Sequence, residues 1–189
     1  MTQSNARPPP PPPDFYSKAK AYEQLSSFYD SCAAVEIDEY RTYEKAAAAL
    51  REAAKQAARI KEEAHKDART AALTGRIALI DRFVLARKLA KSDTQQMVDV
   101  CMQLLEQRDA ETAIRIGDVY ALLVYFHQQA LNFAQAHALL EAMRARAIPI
   151  DPFIDSGTVA TIYAALGKTP PARAVAAPAA DEVGEDIGA

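Results

Sequence analysis

The stretch DAETAIRIGDVYALLVYFHQQALNFAQAHALLEAMRARAIP, from Asp109 to Pro149, decides the fold of this chain. Large, mainly apolar side chains recur in both halves at helical spacing: Ile116, Tyr120, Leu123, Val124 and His127, then Ala136, Leu139, Leu140 and Met143. Asn132 stands between the halves, where it can cap a helix that begins at Phe133. The stretch therefore predicts an αα-hairpin, and neither helix can bury its apolar stripe unless further helices pack beside it.

The composition extends this prediction to the whole chain. The 189 residues include 40 alanines but only 6 glycines and no tryptophan. Alanine is the best helix former, and no run of five or more residues shows the alternation of a strand. A core rich in methyl groups suits helices that pack closely through small side chains. We therefore predict an all-α protein of about seven helices.

The chain divides into three parts. Residues 1–13 end in six consecutive prolines and predict a disordered arm, which serves as a spacer or, alternatively, as a ligand of an SH3-type domain. Residues 14–167 predict the helical domain. Residues 168–189 are rich in proline, alanine and acidic residues and predict a disordered acidic tail.

The first two helices are expected to be long. The first runs from Asp14 to about Tyr40, and the second follows Thr42 without a break to about residue 68. The chain then changes direction somewhere between residues 67 and 75. The expected buried stripe of the first helix is Tyr22, Leu25, Phe28 or Tyr29, Cys32 and Val35.

Caps predict the later boundaries. Ser92-Asp93 ends a third helix and caps a fourth, and Asp151-Pro152 caps the last helix. Gly167 is a natural stop for that helix. Gly117-Asp118 either kinks the first helix of the central hairpin or marks a second helix start.

Charge and cysteine usage exclude several classes of protein. The net charge of −3 gives no domain-wide positive field for nucleic acid or anionic lipid. No apolar run approaches the ~20 residues that cross a bilayer, and no secretion signal is recognisable. Cys32 and Cys101 lack CxxC spacing, so we interpret them as buried thiols of an intracellular protein.

No set of residues predicts catalysis, cofactor binding or metal binding. His65 lies among charged residues, and His127 and His137 fall on separate helices without carboxylates or thiols at metal-ligand spacing. The acidic pair Asp38-Glu39 stands at a helix end open to water rather than in a dry pocket. We therefore predict a protein that is not an enzyme and needs no cofactor.

Two segments have the pattern of the second helix of a tetratricopeptide unit. Tyr43 is followed by Ala46, Leu50 and Ala53, and Phe133 by Ala136, Leu140 and Met143, which gives an aromatic, a small, a large and then a further apolar residue. The first-helix signature is poorly met, and the two copies are not separated by a multiple of 34 residues. These segments predict degenerate tetratricopeptide-like hairpins, the end of an α-solenoid.

The stretch from Ala136 to Lys168 supports an alternative function. It resembles a pentatricopeptide RNA-binding repeat, whose second helix ends in a similar run. Reading RNA requires several consecutive repeats, and the rest of this acidic chain supplies none. An RNA-binding helical-repeat fragment is therefore the second hypothesis.

Three stretches carry a more specific resemblance: FYDSCAAVEIDEY at 28–40, RFVLAR at 82–87 and IRIGDVY at 114–120. In order and spacing they resemble the C-terminal region of the intraflagellar transport protein 140 family, a subunit of complex A. The likeness runs from about Tyr22 to Met143, and more weakly to Gly167.

The resemblance implies a role in ciliary transport. Members of that family are long proteins with two WD40 propellers and an extended tetratricopeptide-like solenoid. This chain then corresponds to the last turns of the solenoid, as a fragment, a truncated product or a separate paralogue. The resemblance implies a non-enzymatic assembly module for retrograde transport and for entry of membrane proteins into cilia. It implies contacts with other complex A subunits and a tubby-like adaptor. It further implies a location at the cilium or flagellum, the basal body and the cytoplasm.

Two hairpin ends are the predicted partner-binding residues: Asp38, Glu39 and Tyr40 at one, and Arg115, Asp118 and Tyr120 at the other. For each charged residue, the alternative is bracing within the chain or capping of a helix. We also expect Gly117 to lie where two parts of the backbone approach closely.

Overall fold

The computed structural model describes residues 21–171, which form seven α-helices, one short 3₁₀-helix and no strand. The α-helices are α1 (Tyr22–Asp38), α2 (Tyr43–Ala57), α3 (Glu63–Leu89), α4 (Thr94–Glu106), α5 (Ile116–Gln129), α6 (Phe133–Ala145) and α7 (Ser156–Ala165). The 3₁₀-helix, Arg108–Thr112, joins α4 to α5. The all-α prediction is confirmed. The predicted proline arm and the part of the acidic tail beyond residue 171 lie outside the described residues.

Successive helices pack side by side as hairpins. The most extensive contacts join α1 to α2 and α2 to α3. The later neighbours α3–α4, α5–α6 and α6–α7 also pack against each other. Ion pairs show that α2 and α3 are antiparallel, because Glu44 meets Arg87 while Arg51, further along α2, meets the earlier Asp81. A single apolar core runs through all seven helices.

Helix α2 shows how alanine builds this core. Tyr43, Ala46, Leu50 and Ala53 are all buried, and Ala57 continues the same face. Small side chains let neighbouring helices approach closely, so much of the contact is made by backbone and methyl groups. The tetratricopeptide-like pattern predicted for this segment is confirmed as the buried face of α2.

The central hairpin also follows the prediction. Ile116, Tyr120, Leu123 and Val124 are buried on α5, and the predicted apolar residues of α6 are buried opposite them. The Asn132 side chain accepts a hydrogen bond from the backbone N–H of Gln135 at 3.3 Å. Helix α5 begins at Ile116, so Gly117-Asp118 marks a helix start and not a kink.

The predicted boundary between the second and third helices was wrong. Helix α2 ends at Ala57, and α3 runs unbroken for 27 residues through Gly75. The turn follows the end of the buried alanine face, where Ile60 packs partly on the core. Gly75 faces open space. A glycine there costs about 1 kcal/mol in helix propensity, which the packing on either side of it offsets.

The predicted buried stripe of α1 was partly wrong, because Leu25 is buried as predicted but Tyr22, Phe28, Tyr29 and Cys32 are only half-buried. The buried residues are Leu25, Ser26, Ala33 and Ile37, whereas Val35 is 48% exposed. Small side chains at positions 26 and 33 let α1 lie close to the alanine-rich α2, its main neighbour. Close approach therefore selects small residues over the larger ones that periodicity favours.

The cap of the last helix was misplaced by four residues. Asp155, not Asp151, caps α7, and its carboxylate accepts the backbone N–H of Thr158 at 2.8 Å. Asp151-Pro152 lies in the turn before it. The predicted cap of α4 at Asp93 and the stop at Gly167 are confirmed, the latter with a φ of 62°.

Helix α5 ends in a left-handed residue that is not glycine. Leu131 has a φ of 57°, and the N–H of Asn132 donates to the carbonyl of His127 at 2.8 Å, as in a Schellman motif. This conformation costs an L-residue roughly 1–2 kcal/mol, and the Leu131 side chain is 73% exposed and recovers little through packing.

We expect Leu131→Gly to raise the free energy of unfolding by about 1 kcal/mol, because glycine adopts this φ without strain. Thermal unfolding followed by circular dichroism should show a Tm about 2–4 °C higher. Ala130→Gly is the matched control: Ala130 has a φ of −76°, so glycine there should lower the Tm. An unchanged or lower Tm for Leu131→Gly contradicts the prediction.

Candidate partner-binding site

Tyr43, the first residue of α2, organises the meeting point of three chain segments. Its ring is buried and packs edge-on against Phe83 at a centroid distance of 4.8 Å. Its hydroxyl donates to Oδ2 of Asp118 at 2.5 Å and accepts the backbone N–H of Arg115 at 3.3 Å. Burial, and then the hydrogen bond to Asp118, raise the pKa of Tyr43 above its ordinary value. The phenol therefore stays neutral and joins α2 to the start of α5.

Asp118 lies in the first turn of α5 with its side chain only 12% exposed. Besides the Tyr43 hydroxyl, it faces Nη1 of Arg41 at 3.5 Å. A carboxylate in the first turn also interacts favourably with the helix dipole. These three interactions compensate for removing the charge from water.

Two arginines hold the α6–α7 connection against these helices. The guanidinium groups of Arg41 and Arg115 pack on the ring of Phe153, 5.2 and 4.9 Å from its centroid. Arg41 also donates to the carbonyl of Pro152. Arg115 donates to the carbonyl of Asp38 at 2.7 Å. We call Arg41, Tyr43, Arg115, Asp118 and Phe153 the Tyr43 cluster.

Gly117 completes the contact between α5 and Phe153. A Cβ atom at this position would lie only 2.4–2.6 Å from three carbon atoms of the Phe153 ring. No real Cβ contact is that short, so the ring occupies the space a side chain would need. The crowding expected at Gly117 is present, but its neighbour is the side chain of Phe153 in the α6–α7 connection and not a second backbone segment.

The structure brings the two predicted hairpin ends together. Asp38 and Arg115 are joined by a hydrogen bond, and Asp118 lies beside them in the Tyr43 cluster. Glu39 is exposed, and Tyr40 is the most exposed of the tyrosines between residues 21 and 171, at 68%. The two ends therefore form one surface, with Glu39 and Tyr40 as its most accessible part.

Tyr120 lies away from that surface. It is buried on α5, and its hydroxyl accepts a hydrogen bond from Nη1 of Arg146 at 3.4 Å. Arg146 also forms an ion pair with Glu111. Tyr120 therefore connects α5 to the end of α6.

Sequence reasoning missed three members of the cluster: Arg41, Tyr43 and Phe153. The sequence pattern identifies Tyr43 only as a tetratricopeptide-type core aromatic. Its polar role depends on Asp118, 75 positions later, and no local pattern connects the two. The one local signal for the cluster was the Gly-Asp pair at 117–118, because a glycine at a helix start indicates that another part of the chain packs closely on the backbone there.

Other candidate sites receive no support from this geometry. Within residues 21–171, no three His, Cys, Asp or Glu side chains lie together as a metal would need. His65 is exposed, and His137 packs edge-on against Tyr163. Burial lowers the pKa of His127. Among the helices of that same region, none combines the length and apolar character of a bilayer crossing.

A family model that describes the C-terminal TPR domain of intraflagellar transport protein 140 matches residues 23–144. The match covers about two thirds of the chain, from the second residue of α1 to the penultimate residue of α6. It includes all of the Tyr43 cluster except Phe153.

Proposed function

The chain belongs to the family of C-terminal TPR domains of intraflagellar transport protein 140, and from that membership we propose that it is a non-enzymatic assembly module of intraflagellar transport complex A. TPR-type helical domains are scaffold folds, and their packed hairpins present extended surfaces to other proteins. In this role the chain supports retrograde transport in cilia and the entry of membrane proteins. It acts at the cilium or flagellum, the basal body and the cytoplasm.

The proposed partners are other complex A subunits and a tubby-like adaptor. The family match is the observation that carries this proposal. Affinity purification from ciliated cells, with the full chain as bait, tests it. We expect complex A subunits to be recovered, and recovery of none of them counts against the proposal.

We further propose that the end of the first hairpin contacts the partner directly. Tyr40 offers a large, exposed aromatic side chain beside the carboxylates of Asp38 and Glu39. Its neighbours are held in place, because Asp38 is bonded to Arg115 through its carbonyl and Arg41 is bonded to Pro152. An aromatic side chain on a rigid segment loses little entropy on binding and is a frequent hot spot.

Arg115, Asp118 and Tyr120 take an indirect part in this proposal. Their side chains are bonded within the chain, to Asp38, Tyr43 and Arg146. Arg115 and Asp118 hold the Tyr40 segment against the start of α5, and Tyr120 joins α5 to the end of α6. Their substitution is then expected to disturb the shape of the surface along with any contact they make.

We expect Tyr40→Ala to weaken binding to isolated complex A subunits at least about tenfold, which corresponds to about 1.4 kcal/mol. Surface plasmon resonance with the immobilised full chain gives the affinity, and the Tm should not change. Met102→Ala is the control, because Met102 is also exposed, at 41%, but lies on α4 and not in the turn after α1. Equal affinities of the Tyr40→Ala and Met102→Ala chains would place the contact elsewhere.

The purified full chain also tests the alternative function, RNA binding. Phosphate contacts make RNA binding fall steeply as salt rises. Filter binding with mixed single-stranded RNA at low and high salt reports this directly. We expect no salt-sensitive binding, and its presence would favour the RNA-binding helical repeat.

A further inference from the structure

An open groove of about 540 Å³ lies beside the Tyr43 cluster. The end of α1, the segment from the 3₁₀-helix to the start of α5, and the α6–α7 connection form its walls. Ile37, Ile114 and Ile148 line it, one from each wall, and Ile148 is the most accessible of the three. A segment that carries both apolar and charged side chains could therefore lie along it.

Three guanidinium groups and two carboxylates line this groove. Arg146 is neutralised by Glu111, and Arg76 is paired with Asp30 outside the groove, although its buried Nε has no hydrogen-bond partner. Among residues 21–171, the guanidinium of Arg115 donates only to the carbonyl of Asp38, and it packs on the ring of Phe153. No carboxylate between residues 21 and 171 lies within ion-pair distance of it. An arginine without a carboxylate partner readily donates two parallel hydrogen bonds to one.

The start of α5 adds to the positive character of the groove. Ile116 and Gly117, its first two residues, both line the groove, and no side chain caps this helix. The first N–H groups of a helix have no partner within the helix, and its N-terminus carries about half a positive charge. The carboxylate of Asp118, in the first turn of α5, offsets part of this charge but is turned to Tyr43 and Arg41. Arg115 is therefore the group in the groove that most favours an anionic occupant.

The chain itself supplies an acidic segment within reach. Pro170 and Pro171 line a second groove, which shares Ile148 and Pro149 with the first. The sequence continues with ARAVAAPAADEVGEDIGA, in which four acids stand at 181, 182, 185 and 186 beside Val183 and Ile187. The ten residues from 171 to 181 span at most roughly 36 Å, and the two grooves adjoin at Ile148 and Pro149, so the acidic segment can reach the first groove.

We propose that the acidic segment 181–186 docks in the groove beside the Tyr43 cluster of its own chain. Its carboxylates face Arg115 and the start of α5, and Val183 lies on the apolar surface. Tethering favours this contact, because a short linker gives an effective concentration in the millimolar range. The contact lies within one chain, so it stands or falls separately from the assembly role.

Paramagnetic relaxation tests the contact in the full chain. A nitroxide label is attached at Gly184→Cys in a Cys32→Ser background, because Cys32 is only half-buried, contrary to the prediction, whereas Cys101 is buried. At low salt we expect loss of amide NMR signal at Ile114, Ile116 and Gly117 but not at His65, near the start of α3. At about 1 M salt, where the Debye length falls to about 3 Å, the signals should return. Full intensity at low salt overturns the proposal and leaves the groove to an acidic segment of a partner.

Two sets of variants identify the interacting groups. Replacing the four acids by amides (Asp181→Asn, Glu182→Gln, Glu185→Gln, Asp186→Asn) leaves the folded domain untouched and should abolish the signal loss. Ala147 lines the groove and is exposed. Ala147→Glu should therefore reduce the signal loss, whereas Ala147→Gln, of equal size, should not. Equal signal loss in the amide variant, or in both Ala147 variants, overturns the proposal.

A further experiment tests whether the groove is occupied by the tail of a second copy of the chain. Labelled chain without isotope is mixed with isotope-enriched chain without the label. We expect no signal loss in this mixture. If the signal loss equals that of the chain that carries both the nitroxide and the isotope, the contact joins two copies, and docking within one chain is overturned.

Discussion

We expect Gly117→Val to lower the free energy of unfolding by about 3 kcal/mol, with a Tm about 6–12 °C lower. The first carbon of the new side chain would lie 2.4 Å from the Phe153 ring. The ring cannot move aside freely, because Arg41 and Arg115 both pack on it. Relief therefore requires displacement of the α6–α7 connection or of the start of α5. Chemical denaturation of the purified chain measures the change.

Two controls separate crowding from the loss of glycine itself. Gly75→Ala, in the middle of α3, meets no atom within 4 Å and should stabilise the chain by about 1 kcal/mol through helix propensity. In a Phe153→Ala background, Gly117→Val should cost about 1 kcal/mol or less, because the obstructing ring is gone. An unchanged Tm for Gly117→Val would show that the ring does not occupy this space in solution.

We expect Tyr43→Phe to lower the free energy of unfolding by about 2 kcal/mol. The substitution removes one oxygen atom from Tyr43. Among residues 21–171, it leaves the Asp118 carboxylate, 12% exposed, with the Arg41 guanidinium at 3.5 Å as its one side-chain partner. Hydrogen bonds to charged groups contribute about 1.5–3 kcal/mol when a buried partner is left behind. Chemical denaturation at neutral pH gives the value. Tyr40→Phe, three residues earlier and exposed, is the control and should change nothing measurable.

The effect of Tyr43→Phe should shrink in alkaline solution. The pKa of Tyr43 is raised above 10.0 in the folded chain, so the unfolded chain loses the phenolic proton first as the pH rises. The stability contributed by the neutral phenol is complete below about pH 10 and then falls by about 1.4 kcal/mol per pH unit. Tyr125 and Tyr163 have raised pKa values in both chains and cancel in the comparison. A constant difference between pH 8 and about pH 11 would show that Tyr43 is not the group responsible.

Local patterns predicted those parts of the fold that local interactions determine. The caps at Asp93 and Asn132 and the stop at Gly167 depend on bonds to residues within five positions, and all three are confirmed. The buried faces of α2, α5 and α6 follow from spacing alone. In these segments, propensity, capping and burial favour the same structure.

The predictions failed where tertiary packing determined the helix end or the buried face. Ala57 and Ala58 are both good helix formers, and nothing local ends α2 between them; the helix ends because its buried face ends. On α1, close packing on α2 buries Ser26 and Ala33 and turns Val35 outward. The Tyr43 cluster joins positions 41 to 153, and a pairing over such distances has no local pattern to reveal it.

The contact between Arg41 and Pro152 spans 111 positions of the chain. Bringing the ends of so long a flexible loop together costs about 4 kcal/mol of chain entropy, apart from a constant. Closing a hairpin between neighbouring helices costs much less chain entropy, so the hairpins form earlier in folding than this contact does. Interactions that are absent at the folding barrier act on the rate of unfolding. The arginines on Phe153 therefore determine how long the folded chain persists more than how quickly it is reached.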